Sequence, residues 1–233
     1  AQETAAAVRA NIVVYGGTSA GVAAAVQAAR MGHYVVLIEP SKHIGGLTSG
    51  GLGFTDSGDK RVIGGISREF YQRVRKHYDN PAAWVFEKAS EYDRYRANED
   101  AMWTFEPKVA ESIFLTMLSE HPSIRVEMSE RLDRAAGVVI TAGKITSIRM
   151  ESGKVFAGEQ FMDATYEGDL MAAANIPYTV GREPNSKYGE TLNGNQVKAN
   201  IHNHRFLKQV DPYKTPGNPS SGLLPGIEDA GPG

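Results

Sequence analysis

The chain has 233 residues, a formal net charge of −2 and no cysteine. That length allows one large domain or two small ones, and an ordinary apolar fraction of 41% lets a core form. The balanced charge gives no electrostatic footprint for nucleic acid, and no apolar run is long enough to span a bilayer, so neither a nucleic-acid nor a membrane partner is expected. Disulfides, thiolate metal ligands and cysteine nucleophiles are excluded.

The opening residues, "AQETAAAVRA", are small and polar, and residues 1–10 are expected to form a flexible N-terminus. They lack the apolar centre of a signal peptide. An Ala-Gln start fits a processed periplasmic or secreted chain as well as a cytoplasmic one.

"NIVVY" is a short β-branched run of the kind that forms a buried parallel strand. It leads into Gly16-Gly17-Thr18-Ser19-Ala20-Gly21, then an Ala-rich helix that Gly32 is placed to end, then a second buried strand, "YVVLIE". Strand, glycine turn, helix and strand in this order, with Glu39 at the second strand's tip, predict a dinucleotide site. Gly16 permits the tight turn and Gly21 lets the helix pack closely. The backbone N–H groups and the positive end of the helix face a pyrophosphate. Glu39 can accept both hydroxyls of an adenosine ribose, and its charge disfavours a 2′-phosphate. Thr18 replaces the usual middle glycine, where its hydroxyl can donate to a phosphate oxygen.

"PSKHIGGLTSGGLG" follows, with glycine doublets Gly45-Gly46 and Gly50-Gly51 around Thr48 and Ser49. Backbone this bare can lie against a large flat ligand and point N–H groups at it, which suits FAD better than NAD. His43, just before the first doublet, is a candidate for contact with the flavin or its ribityl chain.

Residues 63–122 read as a helical insertion. Ile66, Phe70, Val74 and Tyr78 fall at helical spacing, and so do Val109, Ile113, Phe114, Met117 and Leu118, with Pro107 in the first turn of the second helix. The stretch between them is rich in Tyr, Trp and charge. It reads as a solvated helical face, or else as a cap over a flavin or a substrate entrance.

From residue 123 the pattern becomes β. Ile124, Val126 and Leu132 have a spacing that resembles the strand passing under an adenine. Hairpin strands follow with turns at "TAGK" and "ESGK", leading to "QFMDATYEGDL". Its Ala164-Thr165 resembles a flavoprotein Ala-Thr-Gly segment with Tyr166 in place of Gly. Glu167 is placed to cap the helix beginning at Asp169.

On "GGTxAG", "KHxGGLTSGGLG" and "DATYEGDLMAAA", the chain resembles bacterial FAD-dependent oxidoreductases, and the likeness extends to "NSKYGE" and "SGLLPGI". The resemblance implies an α/β fold: a Rossmann-like FAD-binding domain of the glutathione-reductase type, formed by residues 11–62 and 123–176, with the helical insertion and a β-hairpin or meander. It implies a cofactor set of Gly16 to Gly21, Glu39, Pro40, Lys42, His43, Gly45, Gly46, Leu47, Thr48, Ser49, Gly50, Gly51, Leu132, Ala164, Thr165 and Asp169, with Leu132 touching adenine by its backbone. Related flavoproteins with a histidyl flavin bond carry His where this chain has Leu47, so no such bond is expected.

Residues 177–233 are polar and rich in turns, and read as the start of a substrate or cap region. His202 and His204 can face one way in a strand, and with Arg205 they are the candidates for a base or an anion-holding pair near the flavin. No third ligand stands nearby, so no metal is expected. Family members run well past this chain's end, which implies that a C-terminal portion or a second chain completes the flavin site and that this portion alone holds FAD weakly. The expected activity is oxidation of a small organic, carbohydrate-related substrate by hydride transfer to flavin. A flavin monooxygenase or halogenase-like enzyme, and a non-catalytic FAD-binding subunit or fragment, are the alternatives.

Overall fold

Alternation along the first strand decides which face of the sheet each residue serves. In the computed structural model, which describes residues 6–194 and 210–227, strand β1 spans Val8–Tyr15. Ile12 and Val14 enter one core, and Val13 and Tyr15 the other. The second strand, β2 (Val35–Glu39), repeats this: Val35 and Leu37 point one way, Val36 and Ile38 the other. Both strands are covered on both faces, which explains their continuous apolar character.

β1 begins earlier than the sequence suggests. Val8, Arg9 and Ala10 pair with Phe156, Ala157 and Gly158, so the expected flexible N-terminus is corrected over these residues. Cross-strand hydrogen bonding, which a polar, Ala-rich sequence does not advertise, orders them.

Helix α1 (Ser19–Arg30) joins β1 to β2. Thr18 caps its start, and Gly32, at φ +88°, turns the chain away after its end. α2 (Gly65–Tyr78) buries Phe70, Val74 and Tyr78, and α3 (Pro107–Ser119) buries Val109, Ala110, Ile113, Phe114, Met117 and Leu118. Strand β3 (Ile124–Met128) then pairs parallel with β2. β4 (Val138–Thr141) and β5 (Lys144–Arg149) form a hairpin whose turn carries Ala142 and Gly143 at positive φ. β6 (Val155–Asp163) pairs antiparallel with β5 and parallel with β1. The six-stranded order is therefore β3-β2-β1-β6-β5-β4, a parallel sheet continued by an antiparallel meander.

This topology corrects the reading of residues 63–122 as an insertion. A parallel β2-to-β3 connection requires a crossover, and α3 supplies it. Its Phe114 and Met117 share one core with Val14, Leu37 and Val26. Only the stretch between the helices departs from regular structure, with single turns at Pro81–Ala83 and Ala89–Glu91.

The chain divides into two compact units, Ala1–Ile176 and Pro177–Gly233. The second, among its described residues, is built from turns. Asn185 accepts from the amides of Asn193 and Gly194, and Tyr213 bridges to Leu223.

Candidate functional site

After β1 the chain goes to β2 on one side, and only β6 returns to pair on the other. The carboxyl ends of β1 and β6 thus flank a topological switch point, where open α/β sheets hold their ligands. Three loops meet there: the turn at 16–21, the segment 39–51 and the turn at 163–168.

Gly16 adopts φ +105°, and a Cβ on it would lie 2.7 Å from the backbone of Ala164 and Thr165. A Cβ on Gly21 would overlap the carbonyl oxygen of Gly16. Both positions therefore demand glycine, for conformation and close approach respectively. Thr18 has a different task from the expected one. Its Oγ1 donates to the Ala164 carbonyl at 2.7 Å and accepts from the Gly21 amide at 3.3 Å. The hydroxyl carries one proton, and that proton joins two loops rather than pointing at a phosphate. Ser19 and Ala20 stand on the open side, in the first turn of α1, where backbone N–H groups have no intrahelical acceptor.

Glu39 is buried at the end of β2. Its two oxygens accept from the amides of Gly17 and Ser41, each at 2.7 Å. A carboxylate has about four acceptor sites, so two remain for ribose hydroxyls. The Glu39 carbonyl accepts from Glu130, and Ser129 donates to the Ser41 carbonyl from a positive φ of 60°. Beneath this edge lies an ionic network that sequence reasoning missed. Lys154 pairs with buried Glu130 at 2.7 Å and with Glu127 at 3.0 Å, and Arg125 also pairs with Glu127. Burial pushes the Glu127 carboxyl up, but Lys154 and Arg125 outweigh it and hold the group below the usual range.

Pro40 and Lys42 follow on the partly and fully exposed rim. His43 is also exposed, and its Nδ1 lies 3.1 Å from Glu111 of α3, whose carboxylate accepts the Ile44 amide as well. Gly45 donates to the Gly17 carbonyl and leaves room for the ring of Phe114, which a Cβ would meet at 2.6 Å. Gly46–Thr48 forms a single 3-10 turn, and Ser49 donates back to the Ile44 carbonyl. Gly50 sits against the Gly46 carbonyl, and Gly51 takes φ +126°. The exposed Leu47 donates its amide to the Tyr166 hydroxyl at 2.7 Å, and a Cβ on Gly46 would collide with that phenol. Tyr166 is thus a strap across the bare loop, a role that its place in "DATYEGDL" did not reveal.

The Leu132 amide donates to the Tyr15 hydroxyl at 2.9 Å, so this N–H is committed inside the protein. Tyr15 is fully buried and its phenol needs a partner; burial also raises its pKa. Glu167 is exposed, whereas α4 (Asp169–Ala173) is capped by the Thr165 hydroxyl, which accepts from Gly168 and Asp169, and by Asp163, which accepts from Met171. Asp169 pairs with Arg134 at 3.3 Å. An Asp or Thr at a strand end before a helix is a capping signal, and Asp163 and Thr165 carried it. His202, His204 and Arg205 lie outside the described residues.

These features define a dinucleotide-binding α/β fold with its crevice at the carboxyl ends of β2, β1 and β6. The sequence matches the family described as FAD dependent oxidoreductase over residues 11–221, and the chain belongs to that family, whose cofactor is FAD. No curated protein matches the chain. Solved structures of similar fold include L-proline dehydrogenase from P. horikoshii, at 17% identity and TM-score 0.49, covering 77% of this chain and 59% of that one. L-Amino acid deaminase from Proteus vulgaris, lacking its specific insertion sequence, gives 16% identity and TM-score 0.48 over 78% and 60%. PqsL from P. aeruginosa in complex with 2-aminobenzoylacetate gives 14% and 0.44 over 76% and 48%. The chain therefore spans about three fifths of the length of the first two.

The residues present fit FAD. The helix start suits a pyrophosphate, Glu39 suits a ribose diol, and the loop 45–51 ends at Gly51 with open space beside its backbone.

Proposed function

We propose that this chain is the FAD-holding portion of an oxidoreductase that oxidises a small hydroxyl-bearing substrate, with a carbohydrate-related compound as the class suggested by the sequence resemblance. The observation that supports it best is the meeting of the Gly16–Gly21 turn, Glu39 and the 45–51 loop at one switch point. Within this reading, the first turn of α1 orients the pyrophosphate, Glu39 fixes the adenosine ribose, and the glycine doublets with Thr48 and Ser49 line the flavin side. The bound flavin supplies the hydride acceptor. His202 or His204 takes the substrate's hydroxyl proton, with Arg205 as an anion-holding neighbour. Pro177–Gly233 is the start of the substrate or cap region, which a further C-terminal portion or a second chain completes.

The test is anaerobic. Under this proposal a hydroxyl substrate bleaches the absorbance of bound flavin near about 450 nm and yields the carbonyl product without oxygen. Product that forms only with oxygen, carrying an added hydroxyl, would overturn it in favour of a monooxygenase.

A further inference from the structure

A cavity of about 410 Å³ opens beside the stretch that links α2 to α3, within the size range of small-molecule sites. Much of its wall is aromatic, and Trp84 is held in place on it. The Trp84 indole donates to the Tyr78 carbonyl at 2.8 Å, and its ring leans against Tyr78 and Tyr92 at 5.5 and 5.7 Å. Phe105 closes another side.

Polar groups stand in two places. Tyr92 and Thr104 share a hydroxyl hydrogen bond at 3.2 Å. At the rim, Glu106 pairs with Lys108 at 3.0 Å and accepts a hydrogen bond from the Tyr78 hydroxyl at 3.3 Å. That proton is thereby engaged with Glu106, and the hydroxyl oxygen accepts from the Glu106 amide at 2.9 Å. The remaining charged lining group, Glu87, is exposed and solvated. An entering ion would lose water and meet only the compensated Glu106–Lys108 pair and the charge of Glu87, which solvent and salt screen, so its desolvation is poorly repaid. A neutral ring loses nothing of that kind. It covers the aromatic walls, while its hydroxyls meet a carboxylate acceptor, an ammonium donor and a hydroxyl pair.

We propose that this cavity binds an uncharged ring compound bearing hydroxyl groups. Gly53 lines it and lies two residues past Gly51, so the cavity begins within about 7 Å of chain from the bare loop. That the occupant is the substrate of the flavin rests on the function proposed above; the chemistry of the cavity does not.

The chain has two tryptophans, and Trp103 does not line this cavity. Trp84 fluorescence in a Trp103→Phe variant therefore reports occupancy. If that variant folds poorly, the unsubstituted chain serves, with Trp103 as a constant background. Cyclohexane-1,2-diol is expected to give a saturable change, with cyclohexanecarboxylate and cyclohexylamine at least about tenfold weaker. Lys108→Met leaves Glu106 unpaired and shifts preference towards the amine; Glu106→Gln leaves Lys108 unpaired and shifts it towards the carboxylate. No saturable response to the diol, or charged probes binding as well as the diol, overturns the proposal. A Trp84 response in a preparation that takes up no FAD supports the cavity and sinks only the flavin reading.

Discussion

At Gly21 two ordinary arguments about glycine oppose each other. Replacing a helical glycine by alanine normally gains up to about 1 kcal/mol. Here the added Cβ would overlap the Gly16 carbonyl oxygen, a backbone atom that cannot swing aside. Overpacking of this kind costs roughly 1–3 kcal/mol, so Gly21→Ala should lower the melting temperature and weaken FAD uptake together. An unchanged or raised melting temperature would contradict the close packing. At Glu39 the argument concerns acceptors. Glutamine has one carbonyl oxygen where the carboxylate has two, so the Gly17 or the Ser41 amide is left unpaired. An unsatisfied buried donor costs about 1–3 kcal/mol, and Glu39→Gln should weaken FAD binding at least tenfold by equilibrium titration. Thr18→Val removes a cap and the donor to Ala164, and should destabilise by about 1 kcal/mol in denaturant unfolding, whereas Thr18→Ser should not.

At the scale of elements, α3 joins the fold to the site. Phe114 stacks on Phe70 at 4.4 Å and also bounds Gly45. Phe114→Ala should cost about 3–5 kcal/mol in denaturant unfolding and loosen the bare loop as well. The strands, both long helices and the hairpin turns were legible in the sequence because period two, period 3.6 and turn residues are local signals. The place of α3 was not, since a crossover and an insertion have the same periodicity and differ only in what the buried face meets. The glycine turn and Glu39 were legible because their spacing is fixed by one β-α-β unit. The partners of Thr18, Leu132 and Tyr166 were not: each hydrogen bond spans more than a hundred residues, and no local pattern encodes it.

For the molecule as a whole, pH acts through two sets of groups. Glu69 is held below its usual range by Arg30, Glu127 by Lys154 and Arg125 against burial, and Asp133 by Arg149. A carboxyl with a lowered folded pKa contributes stability above its unfolded value, near about 4, and loses it as pH falls through the folded one. The melting temperature should therefore decline below about pH 4.5. Tyr78 acts in the opposite direction: burial raises it to about 12, so its contribution is complete below about pH 10 and disappears between there and about 12. Tyr78→Phe should flatten that alkaline loss.

The central claim is that the α1 start and Glu39 hold the adenosine diphosphate half of FAD. Titrating the purified chain with FAD and with FMN, which lacks the adenosine and one of the two phosphates, tests it most directly. The account predicts saturable FAD binding and far weaker binding of FMN. A chain that takes up no FAD, or holds FMN equally well, would contradict it.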